Sequence, residues 1–338
     1  MDAVTDLQQV AKGLDLGTSR IVLATPNGQK VNFTPQLDAF VDIPYSKMTE
    51  QMLERENILH QVENGHIYAY GNRSDEFAKF LDGDTRRPMC NGTLNPAEHM
   101  NLRVIELLLQ HMCGRAKEGE KLCFSIPSAP PDRGSDLIFH ERSVQRIFEK
   151  LGYHAQSVNE GLAVVYSELK DANFTGIGVS FGGGMCNICL AYLGIPVLTV
   201  ATTRAGDYID QSAASVTGET PTTVRLHKEN AAETGFTLGG ATGGTIDRAL
   251  SIYYADVIET AATALQVAMA RSNKLPRFTA PIPIVCAGGT TMARDFLSQL
   301  RAVITTTPLR VRIGDVFLAK DPFNATARGA LVGAMLDM

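Results

Sequence analysis

The chain has 338 residues, 44% of them hydrophobic, which is enough apolar material for a large core and enough length for two lobes. A formal net charge of −5 excludes the basic face of a general nucleic-acid binder, so no direct nucleic-acid partner is expected. No uncharged apolar run reaches membrane-spanning length, and Met1 to Lys12 has neither a basic n-region nor a long apolar segment, so the expectation is a cytoplasmic protein without direct membrane insertion.

Residues 12–33 read as a β-meander that passes through the turn Gly13-Leu-Asp-Leu-Gly-Thr-Ser19, with Asn27-Gly28 as a hairpin signal. Asp15 falls in an apolar strand, where a carboxylate is costly unless compensated, and a hydrated divalent cation accompanying phosphate would compensate it. Residues 34–88 are more polar and less regular, with a short strand at Gly65 to Gly71, and read as an insertion forming a small outer subdomain. A helix is expected from Pro96 to Cys113, a buried strand from Lys121 to Pro127, and a helix from Gly134 to Leu151 stopped by Gly152. Asn159 is placed to cap the next helix, with Glu160 in its first turn. There Glu160 either supports the helix end or, if that end faces a cleft, polarises a water.

The stretch Gly176-Ile-Gly-Val-Ser-Phe-Gly-Gly-Gly184 answers the first turn half a chain-length later: Gly178 corresponds to Gly13, Ser180 to Asp15 and Gly182 to Gly17. One supersecondary unit used twice implies two related lobes around a cleft. Each turn is either an ordinary hairpin or a nest of backbone N–H groups for an anion, and a facing pair would hold a polyphosphate from both sides. Neither turn has P-loop or dinucleotide-fold spacing. Cys186 and Cys189 have C-x-x-C spacing, but no second pair follows and a strand sends them to opposite faces, so all six cysteines are expected as free thiols.

Val197 to Thr202 continues the second sheet and runs into Thr203-Arg-Ala-Gly-Asp-Tyr-Ile-Asp210. On the short helix Val224 to Asn230, adjacent Lys228 and Glu229 diverge by about 100° and read as a solvated face. After a glycine- and threonine-rich stretch at 234–244, a long helix runs from Thr245 to Asn273. Pro281 to Arg294 is strand, glycine turn, then helix, a third place for close ligand approach. Asp321 to Met335 is a small-residue helix suited to tight packing at a hinge.

In this order the motifs resemble the actin superfamily over nearly the whole chain. Gly13 to Ser19 resembles the first phosphate loop, Glu160 to Tyr166 the first connecting helix and Val179 to Gly184 the second phosphate loop. Gly288-Gly-Thr-Thr-Met292 is similar to the adenosine motif, and Ala325 to Met335 to the second connecting helix. Arg204 to Asp210 and Lys320-Asp-Pro-Phe-x-x-x-x-Arg-Gly-Ala330 are most similar to bacterial filament-forming actins of the MreB and MamK type.

The resemblance implies an α/β actin-like ATPase fold with two ribonuclease-H-like lobes around a nucleotide cleft, each lobe bearing a small extra subdomain. Residues 1–33, 89–171 and 319–338 would form the first lobe core and 34–88 its outer subdomain. Residues 172–206 and 245–318 would form the second core and 207–244 a short outer subdomain. The implied cofactors are ATP or ADP with Mg²⁺. Asp15 would organise the metal waters and Glu160 the attacking water, with Ser180 in the same catalytic group. Gly17, Thr18, Ser19, Gly182, Gly183 and Gly184 would bind phosphates. Gly206, Asp207, Arg225, Lys228, Glu229, Gly288, Gly289 and Thr290 would surround the rest of the nucleotide.

Two departures qualify that expectation. Ser180 stands where the family usually has an aspartate, so nucleotide binding should survive better than hydrolysis. Gly161 stands where the family usually has proline, so the helix start is expected to be looser. The leading expectation is therefore a self-assembling cytoskeletal filament protein with slow ATP hydrolysis and adaptor partners. The alternatives are a non-hydrolysing scaffold filament, and a monomeric kinase or an ATPase like the lobe of the seventy-kilodalton heat-shock proteins. Against the latter, no substrate-binding insertion or following domain is evident.

Overall fold

The computed structural model describes residues 11–81, 83–129, 134–240 and 243–336; the amino-terminal reading of residues 1–10 lies outside them. In the first half, β1 (Ala11–Leu16), β2 (Arg20–Asn27) and β3 (Lys30–Leu37) form the expected meander. An outer unit follows, with β4 (Phe40–Pro44), α1 (Lys47–Arg55), β5 (His60–Glu63), β6 (His66–Tyr70) and α2 (Ser74–Phe80). The short pair β7 (Met89–Cys90) and β8 (Thr93–Leu94) leads to α3 (Asn101–Cys113), β9 (Lys121–Ile126), α4 (Gly134–Lys150), β10 (His154–Asn159) and α5 (Glu160–Glu168). The second half has β11 (Gly176–Phe181), β12 (Cys186–Tyr192) and β13 (Ile195–Thr202). It then has α6 (Gly206–Thr217), α7 (Pro221–Glu229), α8 (Ala231–Thr234) and α9 (Thr245–Arg271). It closes with β14 (Ile282–Ala287), α10 (Phe296–Thr306), β15 (Ile313–Leu318) and α11 (Ala325–Met335).

The two halves build the same sheet. The orders are β10-β9-β1-β2-β3 and β13-β12-β11-β14-β15. In each, a three-stranded antiparallel meander is extended by two parallel strands. The registers agree residue for residue: Gly13 faces Ala24 and Asp15 faces Val22, while Gly178 faces Cys189 and Ser180 faces Asn187. The turns close alike, Gly17 N–H donating to Arg20 O at 3.1 Å and Gly182 N–H to Met185 O at 2.9 Å. The correspondence read from the glycines is thus a correspondence of backbone geometry.

Each sheet is covered by a helix that begins at the other. Helix α5 leaves β10 and packs on β11 and β12; α11 follows β15 and packs on β1 and β9. Glycines make this contact possible. A Cβ on Gly13 would overlap Leu331 and Ala327 of α11, one on Gly178 would overlap the Gly161 carbonyl of α5, and one on Gly329 would overlap the Ala163 carbonyl where the helices cross. Around the crossing a single apolar layer joins both sheets, from Val22, Ala24 and Cys123 to Cys189, Val285 and Ala287. Larger cores fill the outer faces, around Phe124 and Phe148 in the first half and around Phe181, Tyr254 and Phe296 in the second.

Several local expectations are corrected. Helix α3 starts at Asn101 and not at Pro96, because Asn95 accepts from Ala97 N–H at 3.1 Å and Arg86 holds the Glu98 carboxylate at 2.6 Å, which commits that stretch to turns. Residues 34–88 are more regular than their polarity suggests: a sheet β4-β6-β5 buries its own core of Val41, Leu53, Ile67 and Phe77. Gly161 does not loosen the start of α5. A Cβ there would sit 2.6 Å from Cys189 N, and the Asn159 side chain accepts from Leu162 N–H at 3.3 Å, so glycine is what lets a capped helix lie against the hairpin. Cys186 and Cys189 are buried in different cores, as opposite strand faces require.

Candidate functional site

Three turns converge between the sheets. The Thr18 side chain abuts Gly184, and a Cβ on Gly183 would lie 3.3 Å from that of Ser19. Gly92 N–H donates to Thr18 Oγ1 at 2.9 Å and fixes the first turn. The second turn is held by its neighbours: Gly206 N–H and the Thr290 hydroxyl donate to Gly182 O at 3.1 and 2.9 Å, and Asp207 N–H donates to Gly183 O at 2.8 Å. Gly288, at φ 97°, brings the third turn against the Phe181 backbone, and Gly289 lies on the Phe323 ring. A short 3₁₀ turn, Gly289–Met292, stands where a helix start was expected.

Beneath the turns lies a carboxylate pair, Glu160 buried and Asp15 half-buried. Asp15 Oδ1 accepts from Ser125 Oγ at 3.0 Å, and that hydroxyl accepts from Leu16 N–H at 3.0 Å. Glu160 Oε2 accepts from Ser180 Oγ at 3.0 Å and from Asn187 Nδ2 at 2.9 Å. Asn187 is fixed in turn, its Oδ1 accepting from Ser128 N–H at 2.7 Å, while Asn159 Nδ2 donates to Ser128 Oγ at 2.7 Å. Burial pushes the Asp15 carboxyl up to about 6 against the opposing hydrogen bond from Ser125. Burial, then repulsion from Asp15, pushes Glu160 up to about 8, against the hydrogen bonds from Ser180 and Asn187. No basic side chain is bonded to either among the described residues. That charge imbalance fits a hydrated divalent cation beside Asp15.

This pair has a consequence for stability. A carboxyl whose folded pKa lies above its unfolded value destabilises the fold as it ionises. Nucleotide-free protein should therefore lose stability as pH rises from about 4.5 toward 8, the window between the ordinary and shifted values of Glu160. In Glu160→Gln that loss should shrink, so melting temperatures of variant and wild type should match at low pH and separate at pH 8. A constant offset across pH would refute the assignment.

Above the turns the halves enclose a cleft of about 1900 Å³, lined by Thr18, Gly184, Arg87, Asp207 and Arg225 among others. Arg87 Nη1 lies 3.2 Å from both Asp207 carboxylate oxygens and so bridges the halves. Lys228 is not fully solvated as expected: it is half-buried and pairs with Asp210 at 2.6 Å, one turn of α6 beyond Asp207. Glu229 is exposed. Of the residues expected around the nucleoside, Gly206, Gly288, Gly289 and Thr290 cluster at the second and third turns, Arg225 lines the cleft, and Lys228 and Glu229 do not line it. Sequence reasoning missed Asn187, Ser125 and Arg87. Asn187 carried a usable signal, a lone amide in an apolar strand at the hairpin position facing Ser180.

Paired sheets of identical topology, crossed connecting helices and facing glycine turns define an actin-like fold. MamK in a double helical filament aligns with TM-score 0.66 at 20% identity, covering 95% of this chain and 97% of that one. MreB5 of Spiroplasma citri bound to AMPPNP aligns with TM-score 0.65 at 13% identity, covering 94% of each. The ethanolamine utilization protein EutJ from Carboxydothermus hydrogenoformans aligns with TM-score 0.52 at 15% identity, covering 95% and 89%. No curated protein matches. The Volactin family model matches residues 10–334, and the chain belongs to the Volactin family. No helix among the described residues is long and apolar enough to cross a membrane.

Proposed function

We propose that this chain binds ATP or ADP with Mg²⁺ between its two glycine turns and assembles with copies of itself into cytoplasmic cytoskeletal filaments, with slow hydrolysis controlling their lifetime. The observation that carries the reading is the pair of turns in matching register, Thr18 against Gly184 and Ser19 against Gly183, over the carboxylates Asp15 and Glu160. Backbone N–H groups of Gly17 to Ser19 and Gly182 to Gly184 would hold phosphates, Gly206 and Gly288 to Thr290 would border the nucleoside, and Asp15 would hold the metal through water. The cation would neutralise phosphate charge. Glu160, oriented by two donors on one oxygen, would then position the attacking water. The division into two lobes, each with an outer unit, belongs to the same proposal, as do adaptor partners. Pelleting with Mg²⁺ and ATP, ADP or no nucleotide, with negative-stain imaging, tests it; nucleotide-bound protein that stays in the supernatant at every concentration would count against assembly.

Glu160→Gln should lower phosphate release by about 10²–10⁴-fold and leave nucleotide-dependent pelleting in place. Equal release from the variant would remove Glu160 from the chemistry. A second reading, a filament or monomer that binds nucleotide without turnover, is favoured by Ser180, whose hydroxyl is spent on Glu160 and brings no charge for a metal.

A further inference from the structure

Asp38, between β3 and β4, is fully buried, and neither of its carboxylate oxygens has a hydrogen-bond partner. A buried carboxylate without a partner costs several kcal/mol or stays neutral, and burial does hold this carboxyl well above the usual range. Asp38 is tied to the first turn, its N–H donating to Ser19 O at 3.1 Å. A counter-charge stands close by. Phe40 and Arg86 exchange backbone hydrogen bonds at 2.9 and 2.8 Å in an antiparallel bridge, which sets Arg87 opposite Ala39, next to Asp38. The Arg87 charge is the one that opposes the effect of burial on Asp38.

Arg87 is engaged elsewhere, and loosely. A single guanidinium nitrogen is shared between the two oxygens of Asp207 at 3.2 Å, with both side chains about a third exposed, whereas strong charge-assisted pairs sit at about 2.7–2.9 Å. Asp207 lies against the second turn: a Cβ on Gly183 would be 3.5 Å from its carboxylate. Polyphosphate held by that turn would press negative charge on Asp207, and making room between Ser19 and Gly183 would draw Asp207 away from Arg87. Asp38 would stay, because it and Arg87 belong to the same side.

We propose that Arg87 is a nucleotide-responsive positioning residue with two carboxylate stations, Asp207 across the cleft when the turns are in contact and buried Asp38 when a polyphosphate parts them. The proposal rests on the nucleotide reading above. It makes Arg87 a latch between the halves that nucleotide releases, and it gives an otherwise unfavourable carboxylate its role.

The test is a pair of double-mutant cycles, Arg87→Gln with Asp207→Asn and Arg87→Gln with Asp38→Asn, read by thermal unfolding and by binding of ADP and a non-hydrolysable ATP analogue. Expected is coupling of Arg87 to Asp207 that weakens when nucleotide binds, and coupling to Asp38 that strengthens when it does. Asp38→Asn should weaken nucleotide binding about tenfold, and should have no such effect where Arg87 is already Gln. Removing a buried carboxyl without a hydrogen-bond partner should not harm folding, and Asp38→Leu provides a second check, since it should weaken binding alike. Unchanged affinity in Asp38→Asn overturns the proposal, and so do losses at 87 and 38 that simply add, which would mean that Arg87 meets the phosphate directly. Wild-type protein that binds neither nucleotide overturns the nucleotide reading itself, and this proposal with it.

Discussion

Gly329→Ala will cost more than about 4 kcal/mol or prevent folding, although it adds one methyl group. Its Cβ would overlap the Ala163 carbonyl of α5, and backbone cannot step aside as a flexible side chain could. The surroundings allow no relief, since Gly13 and Gly178 hold α11 and α5 against their sheets by close backbone contacts of their own. Over-packing usually costs about 1–3 kcal/mol because side chains re-pack; here two helices would have to separate. Gly65→Ala is the control: Gly65 has φ 78° and nothing within 4 Å, so only the conformational penalty of about 1 kcal/mol applies. Urea unfolding of both variants decides it. If Gly329→Ala falls within about 1 kcal/mol of Gly65→Ala, the crossing is not the tight junction described.

Ser180→Asp should act in opposite directions with and without metal. Ser180 is buried and donates to Glu160, so an aspartate there removes a donor and adds a third carboxylate beside two whose ionisation burial already opposes. Without Mg²⁺ the variant should melt below wild type. With Mg²⁺ and ATP the added charge should strengthen the metal site, and phosphate release should rise by about 10–100-fold, the usual size of a change in a carboxylate that supports a bound metal. Phosphate release by a folded Ser180→Asp protein that is no faster than wild type would mean that position 180 does not limit turnover.

The parts of the fold that the sequence announces are those set by local backbone chemistry. Paired glycines in Gly13 to Ser19 and Gly176 to Gly184 announce the turns, Asn159 announces its helix, and the small residues of Ala325 to Met335 announce a close crossing. What stayed hidden depends on partners far along the chain. Lys228 is read as solvated until α6 brings Asp210 to it, and Arg87 has no visible role until Asp207, 120 residues away, meets it across the cleft. Asn187 matters only through the register that sets it opposite Ser180. Gly161 shows a different limit: missing proline suggests looseness when only the helix end is considered, and tightness once Cys189 is seen behind it.

The exchange of helices between the sheets also bears on how the chain is made. During translation the first sheet can assemble once β10 has left the ribosome, but the face of β1 at Gly13 stays bare until α11 emerges, more than three hundred residues after β1. Folding of that half therefore waits on a segment made more than three hundred residues later, and until then the nascent chain carries an uncovered apolar strand. A protein built this way has reason to depend on a chaperone while it is being translated, and less reason once α11 is in place.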